Sequence, residues 1–157
     1  MHDIILLRHA AAMSSAPDGT DGARPLSTLG ENEARAAGRW LREHNVQPAR
    51  VLCSPAQRAL MTARNVLDVL GSDTSPTLEP AIYDAVPGTL INLIEQHATS
   101  GILVLVGHNP ALEQLVGLLC EGRSSEVRGM PPAGLAWLRA DLPLDPGGAQ
   151  LHAFWSP

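Results

Sequence analysis

The sequence contains no lysine, and all 11 of its basic residues are arginines. A Walker phosphate loop, a Schiff-base nucleophile and a pyridoxal anchor each require a lysine ammonium, so those chemistries are excluded. Aromatic side chains are also scarce: one Phe, one Tyr and three Trp. That is too few for a platform on which bases stack, and a formal charge of −5 without any basic run makes a poor partner for nucleic acid. The two cysteines, Cys53 and Cys120, show neither CxxC nor zinc spacing and lie in the apolar runs VLCSP and LVGLLC. They read as buried thiols of a reducing compartment. No HExxH-like ligand pair occurs either, so neither a metal nor a cofactor is expected.

Long apolar runs are missing as well. The longest uninterrupted one, Ile102 to Val106, falls far short of the roughly 18 residues that a membrane span needs. The N-terminal MHDIILLRHA opens with an acid and has only four apolar residues before Arg8, which is not the pattern of a secretory signal, so a cytoplasmic protein without membrane contact is expected. What the chain does have is 157 residues, 45% of them hydrophobic and 17% charged. A chain of that size buries roughly 70% of its unfolded surface and needs no staple. One domain over residues 1–157 is expected, with no repeat or linker; nothing in the sequence fixes an oligomeric state.

Short apolar runs alternate with helical patterns. Asp3–Leu7 reads as a strand buried on both faces, followed by a Gly, Ser, Asp and Pro-rich loop over residues 13–27. Ser27 or Thr28 caps a helix over Leu29–Asn45, with Ala34, Ala37, Trp40 and Leu41 on one stripe. A strand at Arg50–Cys53 leads to Ser54-Pro55, read as cap and first residue of a helix from Ala56 to Leu70 that Gly71 ends. An extended piece at Thr77–Ile82, a helix at Thr89–Ala98, a buried strand at Gly101–Val106 and a helix from Pro110 to Cys120 follow. After a polar stretch at Glu121–Pro132, the runs Gly134–Asp141 and Gln150–Trp155 predict a closing hairpin. The order predicts an α/β domain with a mostly parallel sheet covered on both faces and an antiparallel element at the end.

In such a sheet the site lies beyond the carboxyl ends of the parallel strands. The residues found there are Arg8-His9, Ser54-Pro55 with Arg58 one turn on, and His108-Asn109. Guanidinium forks match phosphate oxygens bidentately, and a helix N-terminus adds oriented N–H groups. A neutral imidazole is a nitrogen nucleophile at cellular pH, which suits His9 for attack on phosphorus. Two guanidiniums and a second, protonated histidine would neutralise the phosphoryl group without a metal. The bland alternatives are a carboxylate partner for Arg8, a solvated helix position for Arg58 and a turn cap for His108. His2, His44, His97 and His152 receive no role, and Trp40, Trp137 and Trp155 read as core or rim packing.

The segments LLRHA, RPLSTLGENEA, VLCSPAQRALMTA and VLVGHNP, in that order over residues 4–110, resemble the histidine phosphatase superfamily (phosphoglycerate mutase-like), in particular its short SixA-type phosphohistidine phosphatase branch. The resemblance implies a three-layer α/β/α sandwich with one antiparallel strand in a mixed sheet. It implies that His9 becomes phosphorylated and that Arg8, Arg58 and His108 bind the phosphoryl group, with Asn109 beside them; Arg24, in RPLS, lies on a loop that could reach the substrate. A glutamate after the third strand protonates the leaving group in many relatives, and Asp84 stands at the matching offset, with Glu79 the runner-up. Ala10 stands where many relatives have Gly.

Imidazole leaves readily from a P–N bond and gains less than an alkoxide from a positioned acid, which favours phosphohistidine as substrate. Only about fifty residues separate Arg8 from Arg58, leaving no room for the lid insertions of sugar-phosphate relatives. The expected activity is therefore a metal-independent phosphatase acting on phosphohistidine, borne by a histidine phosphotransfer protein, through a covalent phosphohistidine intermediate. The alternatives are a phosphatase for small phosphate esters with the same core, a mutase, and a phosphocarrier in which His9 is modified without hydrolysis.

Overall fold

A computed structural model describes residues 1–126 and 128–157. Its first strand, β1 (His2–Arg8), carries the run Ile4 to Leu7, and every one of those four side chains is buried. Successive strand residues point to opposite faces, so Ile4 and Leu6 enter one apolar cluster while Ile5 and Leu7 enter another. That two-sided burial is why the run is continuous rather than alternating.

Chain order then gives α1 (Thr28–Glu43), β2 (Pro48–Cys53), α2 (Gln57–Leu70), β3 (Pro76–Leu78), α3 (Pro87–His97), β4 (Ile102–Gly107), α4 (Ala111–Glu121), β5 (Leu135–Ala140) and β6 (Gln150–Trp155). The strands form one sheet in the order β3-β2-β4-β1-β5-β6. β1 pairs parallel with β4, and β4 with β2, whereas β5 runs antiparallel to both β1 and β6. β5 alone therefore runs against the others, as expected. Helices α1 and α2 supply Leu41, Ala59 and Val66 to the cluster on one face, and α3 and α4 supply Leu90, Ile94, Leu112 and Leu115 to the other. This is the three-layer sandwich.

Three local expectations are corrected. The extended piece at 77–82 stops at Leu78: Glu79 N–H still donates to Cys53 O at 2.9 Å, but Pro80 has no donor to continue the ladder and a 3₁₀ turn, Pro80–Ile82, follows. The second helix begins at Gln57 and not at Pro55, and its cap position, Ala56, makes no side-chain cap bond. The third begins at Pro87, whose fixed φ suits a first turn, two residues before the expected start. Elsewhere the reading stands: Ser27 Oγ accepts from Gly30 N–H at 3.1 Å to cap α1, and Gly71 ends α2 at a φ of 62°. Of the polar stretch at 121–132, position 127 lies outside the described residues and Glu121 is the last residue of α4. Cys53 is buried, Cys120 half-buried, and both are free thiols. Among the described residues no helix is long and apolar enough to cross a membrane.

The packing around the end of β1 fixes what comes after it. Ala10 N–H donates to Thr62 Oγ1 at 3.0 Å, and the Thr62 hydroxyl donates to Arg58 O at 2.7 Å, which ties the segment after β1 to the first turns of α2. Ala11 N–H donates to Glu33 Oε1 at 2.9 Å, and Ser27 N–H donates to Ala11 O at 3.0 Å, which ties it to α1. The close approach requires Gly30, where a Cβ would lie 1.9 Å from Ala11 O.

Candidate active site

The carboxyl ends of β1, β2 and β4 open into a cavity of about 480 Å³ whose wall includes Arg8, His9, Arg58 and His108. The structure thus brings the two histidines and two arginines together. Arg24, Asp84 and Asn109 line the same cavity, and so do Asp21 and Tyr83, which the sequence reading did not single out. Glu79, the second candidate for a proton donor, is not in the wall: its Oε1 lies 3.2 Å from His97 Nε2, and Arg50 approaches the other nitrogen of that ring at 3.1 Å. His97, given no role, is the reason Glu79 is engaged elsewhere.

His9 extends β1 by one residue, and its main-chain N–H donates to Gly107 O at 3.0 Å. Its Nδ1 lies 2.8 Å from Ala10 O. A carbonyl only accepts, so Nδ1 carries the hydrogen and the neutral ring keeps its lone pair on Nε2. Burial holds the His9 pKa at about 4, with the nearby Arg58 and Arg8 charges adding to the effect against the bond to Ala10. The ring is therefore neutral at neutral pH.

His108 stands with its ring centroid 5.2 Å from that of His9. Its Nε2 is 2.8 Å from Ser54 Oγ, a fully buried hydroxyl that also accepts from Ala56 N–H at 3.2 Å. Ser54 therefore serves the second histidine as well as the entry to α2. In the free protein the second histidine is not protonated. Burial, followed by the neighbouring His9 and Arg58, lowers the His108 pKa to about 4, so in the free protein it is uncharged at neutral pH. Gly107, before it, is approached by the Ile82 side chain, which a Cβ would meet at 3.0 Å.

The two guanidiniums are tethered alike. Arg8 Nη1 donates to Met130 O at 2.8 Å, and Arg58 Nη1 donates to Asp21 O at 2.9 Å. The Nε–H of each is buried without a partner. Leaving such donors unpaired is costly, and both belong to side chains that line the cavity. Among the described residues no carboxylate lies within 4.0 Å of the Arg8 guanidinium, so the structural alternative weighed for it is not what the fold supplies. Arg58 does have one: Asp21 Oδ2, 3.1 Å from Nη2. Hydrogen bonds from the Tyr83 hydroxyl and Arg24, with Arg58 behind them, hold the Asp21 carboxyl well below the usual carboxylate range. Arg24 reaches the same carboxylate through Nε at 3.0 Å and donates Nη1 to Met13 O at 2.8 Å, which pins the loop of residues 13–27. Asn109 Nδ2 donates to Met130 O at 3.0 Å, and its Oδ1 accepts from Glu113 N–H at 3.2 Å. It is engaged in holding the carbonyl that holds Arg8. Asp84 is exposed at the mouth. Among the described residues no cluster of three or more His, Cys, Asp or Glu forms a metal site.

Two imidazoles and two guanidiniums around one open cavity, at the carboxyl edge of this sheet, are the equipment of a phosphatase. The sequence pattern of the histidine phosphatase superfamily (branch 1) matches residues 4–89, and the chain belongs to that family. It is 36% identical to the uncharacterized protein Rv1276c of Mycobacterium tuberculosis over 96% of this chain and 99% of that one. It is 30% identical to phosphohistidine phosphatase SixA of Escherichia coli, covering 92% of this chain and 87% of SixA. A structure of the protein histidine phosphatase SixA complexed with tungstate superposes with a TM-score of 0.79 at 28% identity, covering 98% of this chain and 96% of that one.

Proposed function

We propose that this phosphatase removes the phosphoryl group from phosphohistidine on a histidine phosphotransfer protein, and that His9 carries it in transit. The observation that carries the reading is the His9 tautomer: Nδ1 is committed to Ala10 O at 2.8 Å, which leaves Nε2 as the nucleophilic atom. In the first half-reaction the Nε2 lone pair forms a bond to phosphorus while the P–N bond to the substrate imidazole breaks. The departing nitrogen keeps that electron pair and, because the other nitrogen of the substrate ring carries a proton, the ring leaves as neutral imidazole. In the second, water attacks phosphorus, the P–Nε2 bond breaks, and phosphate leaves with the water oxygen while His9 recovers its lone pair. Arg8 and Arg58, in the cavity wall beside His9, hold the phosphoryl oxygens.

The substrate class follows from the leaving group and the mouth. An imidazole with a pKa near 6.5 departs without a strong acid, and the carboxyl on offer, Asp84, is exposed rather than buried against the reacting centre. The about 480 Å³ cavity is open to solvent, which suits a phosphoryl group presented on another protein. SixA, to which the chain is similar, is named for this activity. The test compares kcat/KM for a phosphorylated histidine phosphotransfer domain with kcat/KM for a panel of sugar phosphates. A preference of at least tenfold for the phosphoprotein is expected; turnover confined to the esters would contradict the substrate assignment and leave the phosphatase core intact.

A further inference from the structure

The cavity wall carries one charge that phosphoryl transfer does not use. Asp21 places Oδ2 3.1 Å from Arg58 Nη2 and Oδ1 2.9 Å from Arg24 Nη2, while its main-chain carbonyl takes Arg58 Nη1 at 2.9 Å. The Tyr83 hydroxyl donates to the same Oδ2. One loop residue thus occupies both terminal nitrogens of a guanidinium that is 8% exposed, from a side chain that is itself 53% exposed. A carboxylate held by two arginines and a phenol is chemically the same guest as one edge of a phosphoryl group, since both present a pair of anionic acceptor oxygens to the fork.

A purely architectural ion pair needs no place in the cavity, yet Asp21, Arg24, Arg58 and Tyr83 line it together with His9 and His108. Nor is the carboxylate needed to aim Arg58. The Asp21 main-chain carbonyl holds Nη1, and the Tyr83 ring lies 5.8 Å from the guanidinium carbon, so the tether survives loss of the side-chain charge. What the charge itself does is oppose a dianion in the same space.

We propose that Asp21 is a resident competitor for the oxyanion: its carboxylate occupies Nη2 of Arg58 and Nη2 of Arg24 in the free protein, and a phosphoryl group binds by exchange with it. Tyr83 is the clasp, because Oδ2 must leave its hydroxyl for the exchange to proceed. The consequence is selectivity by strength of attachment. Free inorganic phosphate, the product, has only its own charge to displace Asp21, whereas a phosphoryl group on a carrier protein brings the rest of that surface with it. The inference rests on the reading of this cavity as a phosphoryl site but not on the identity of the carrier.

The experiment measures the dissociation constant of tungstate by calorimetry at neutral pH, and the inhibition constant of inorganic phosphate, for the intact protein, Asp21→Asn and Tyr83→Phe. Repulsion from a carboxylate about 6 Å away in an effective dielectric of about 20, discounted for its exposure, gives tungstate binding roughly tenfold tighter in Asp21→Asn. Tyr83→Phe should shift both constants in the same direction by about twofold, from loss of one hydrogen bond to the resident carboxylate. If Asp21→Asn fails to fold, Tyr83→Phe alone decides, because it leaves Asp21 and both arginines in place. Unchanged or weaker tungstate binding in folded variants that still turn over substrate overturns the role of Asp21 and leaves the phosphatase reading standing. If none of the three proteins binds tungstate or phosphate, both readings fall together.

Discussion

Seating a dianion in the cavity should put a proton on His108. In the free protein burial holds this histidine at about 4, so near pH 6 only about 1% of the rings are charged. An oxyanion about 4 Å from the ring contributes about 4 kcal/mol per unit charge at an effective dielectric of about 20; with one of its two charges offset by the adjoining guanidiniums, the remaining one is worth about 3 pKa units and moves the midpoint to roughly 7. The hydroxyl of Ser54, 2.8 Å from Nε2, accommodates either state, since it donates to a bare nitrogen and accepts from a protonated one. The assay is long-range proton–nitrogen NMR of the His108 imidazole between pH 4 and 8, with and without saturating sulfate, which does not itself titrate there. Sulfate should raise the midpoint by two units or more. A shift below one unit would refute the reasoning, because the anion would then lie too far from His108 for that ring to share in its neutralisation.

Other outcomes follow from the same geometry. Gly30→Ala drives a Cβ to 1.9 Å from Ala11 O and should cost about 3 kcal/mol in urea unfolding, lowering kcat as the segment after His9 shifts. His9 and His108, both lowered from 6.5 to about 4, bind protons more readily when unfolded. Their contribution to stability is therefore complete above about pH 6.5 and is lost as pH falls toward 4, by about 3 kcal/mol for the pair after allowance for partial exposure; urea midpoints of the protein and a His9→Gln/His108→Gln double variant should converge as the pH is lowered. Asp84→Asn should slow hydrolysis of an alkyl phosphate by roughly tenfold or more and of phosphohistidine by less than about threefold, in parallel steady-state assays.

The parts of the fold that were legible in the sequence are those whose signal is local. Asp3–Leu7 and Gly101–Val106 read as buried strands because both faces of their apolar runs are covered, and Ser27 or Thr28 read as the cap of the first helix because a hydroxyl before an acidic first turn satisfies a helix start within four residues; the structure selects Ser27. Arg8, His9, Arg58 and His108 were found because a parallel sheet delivers whatever follows its strands to one edge. What was not legible depends on long-range contacts. Asp21 and Tyr83 meet across 62 residues, and Ser54 meets His108 across 54, with no periodicity to announce either pairing. The neutral state of His108 in the free protein was not legible for a related reason: burial among two arginines is a property of the assembled cavity and not of the VLVGHNP segment.

The most direct test of the central claim is a single-turnover experiment with a radiolabelled phosphohistidine phosphotransfer protein, quenched in alkali, where phosphohistidine survives, and mapped by peptide mass spectrometry. Label should pass through the peptide containing His9, rising before free phosphate appears, and His9→Ala should release none. Free phosphate formed at an undiminished rate by His9→Ala, with no labelled enzyme at any time in the unmodified protein, would contradict a nucleophilic His9.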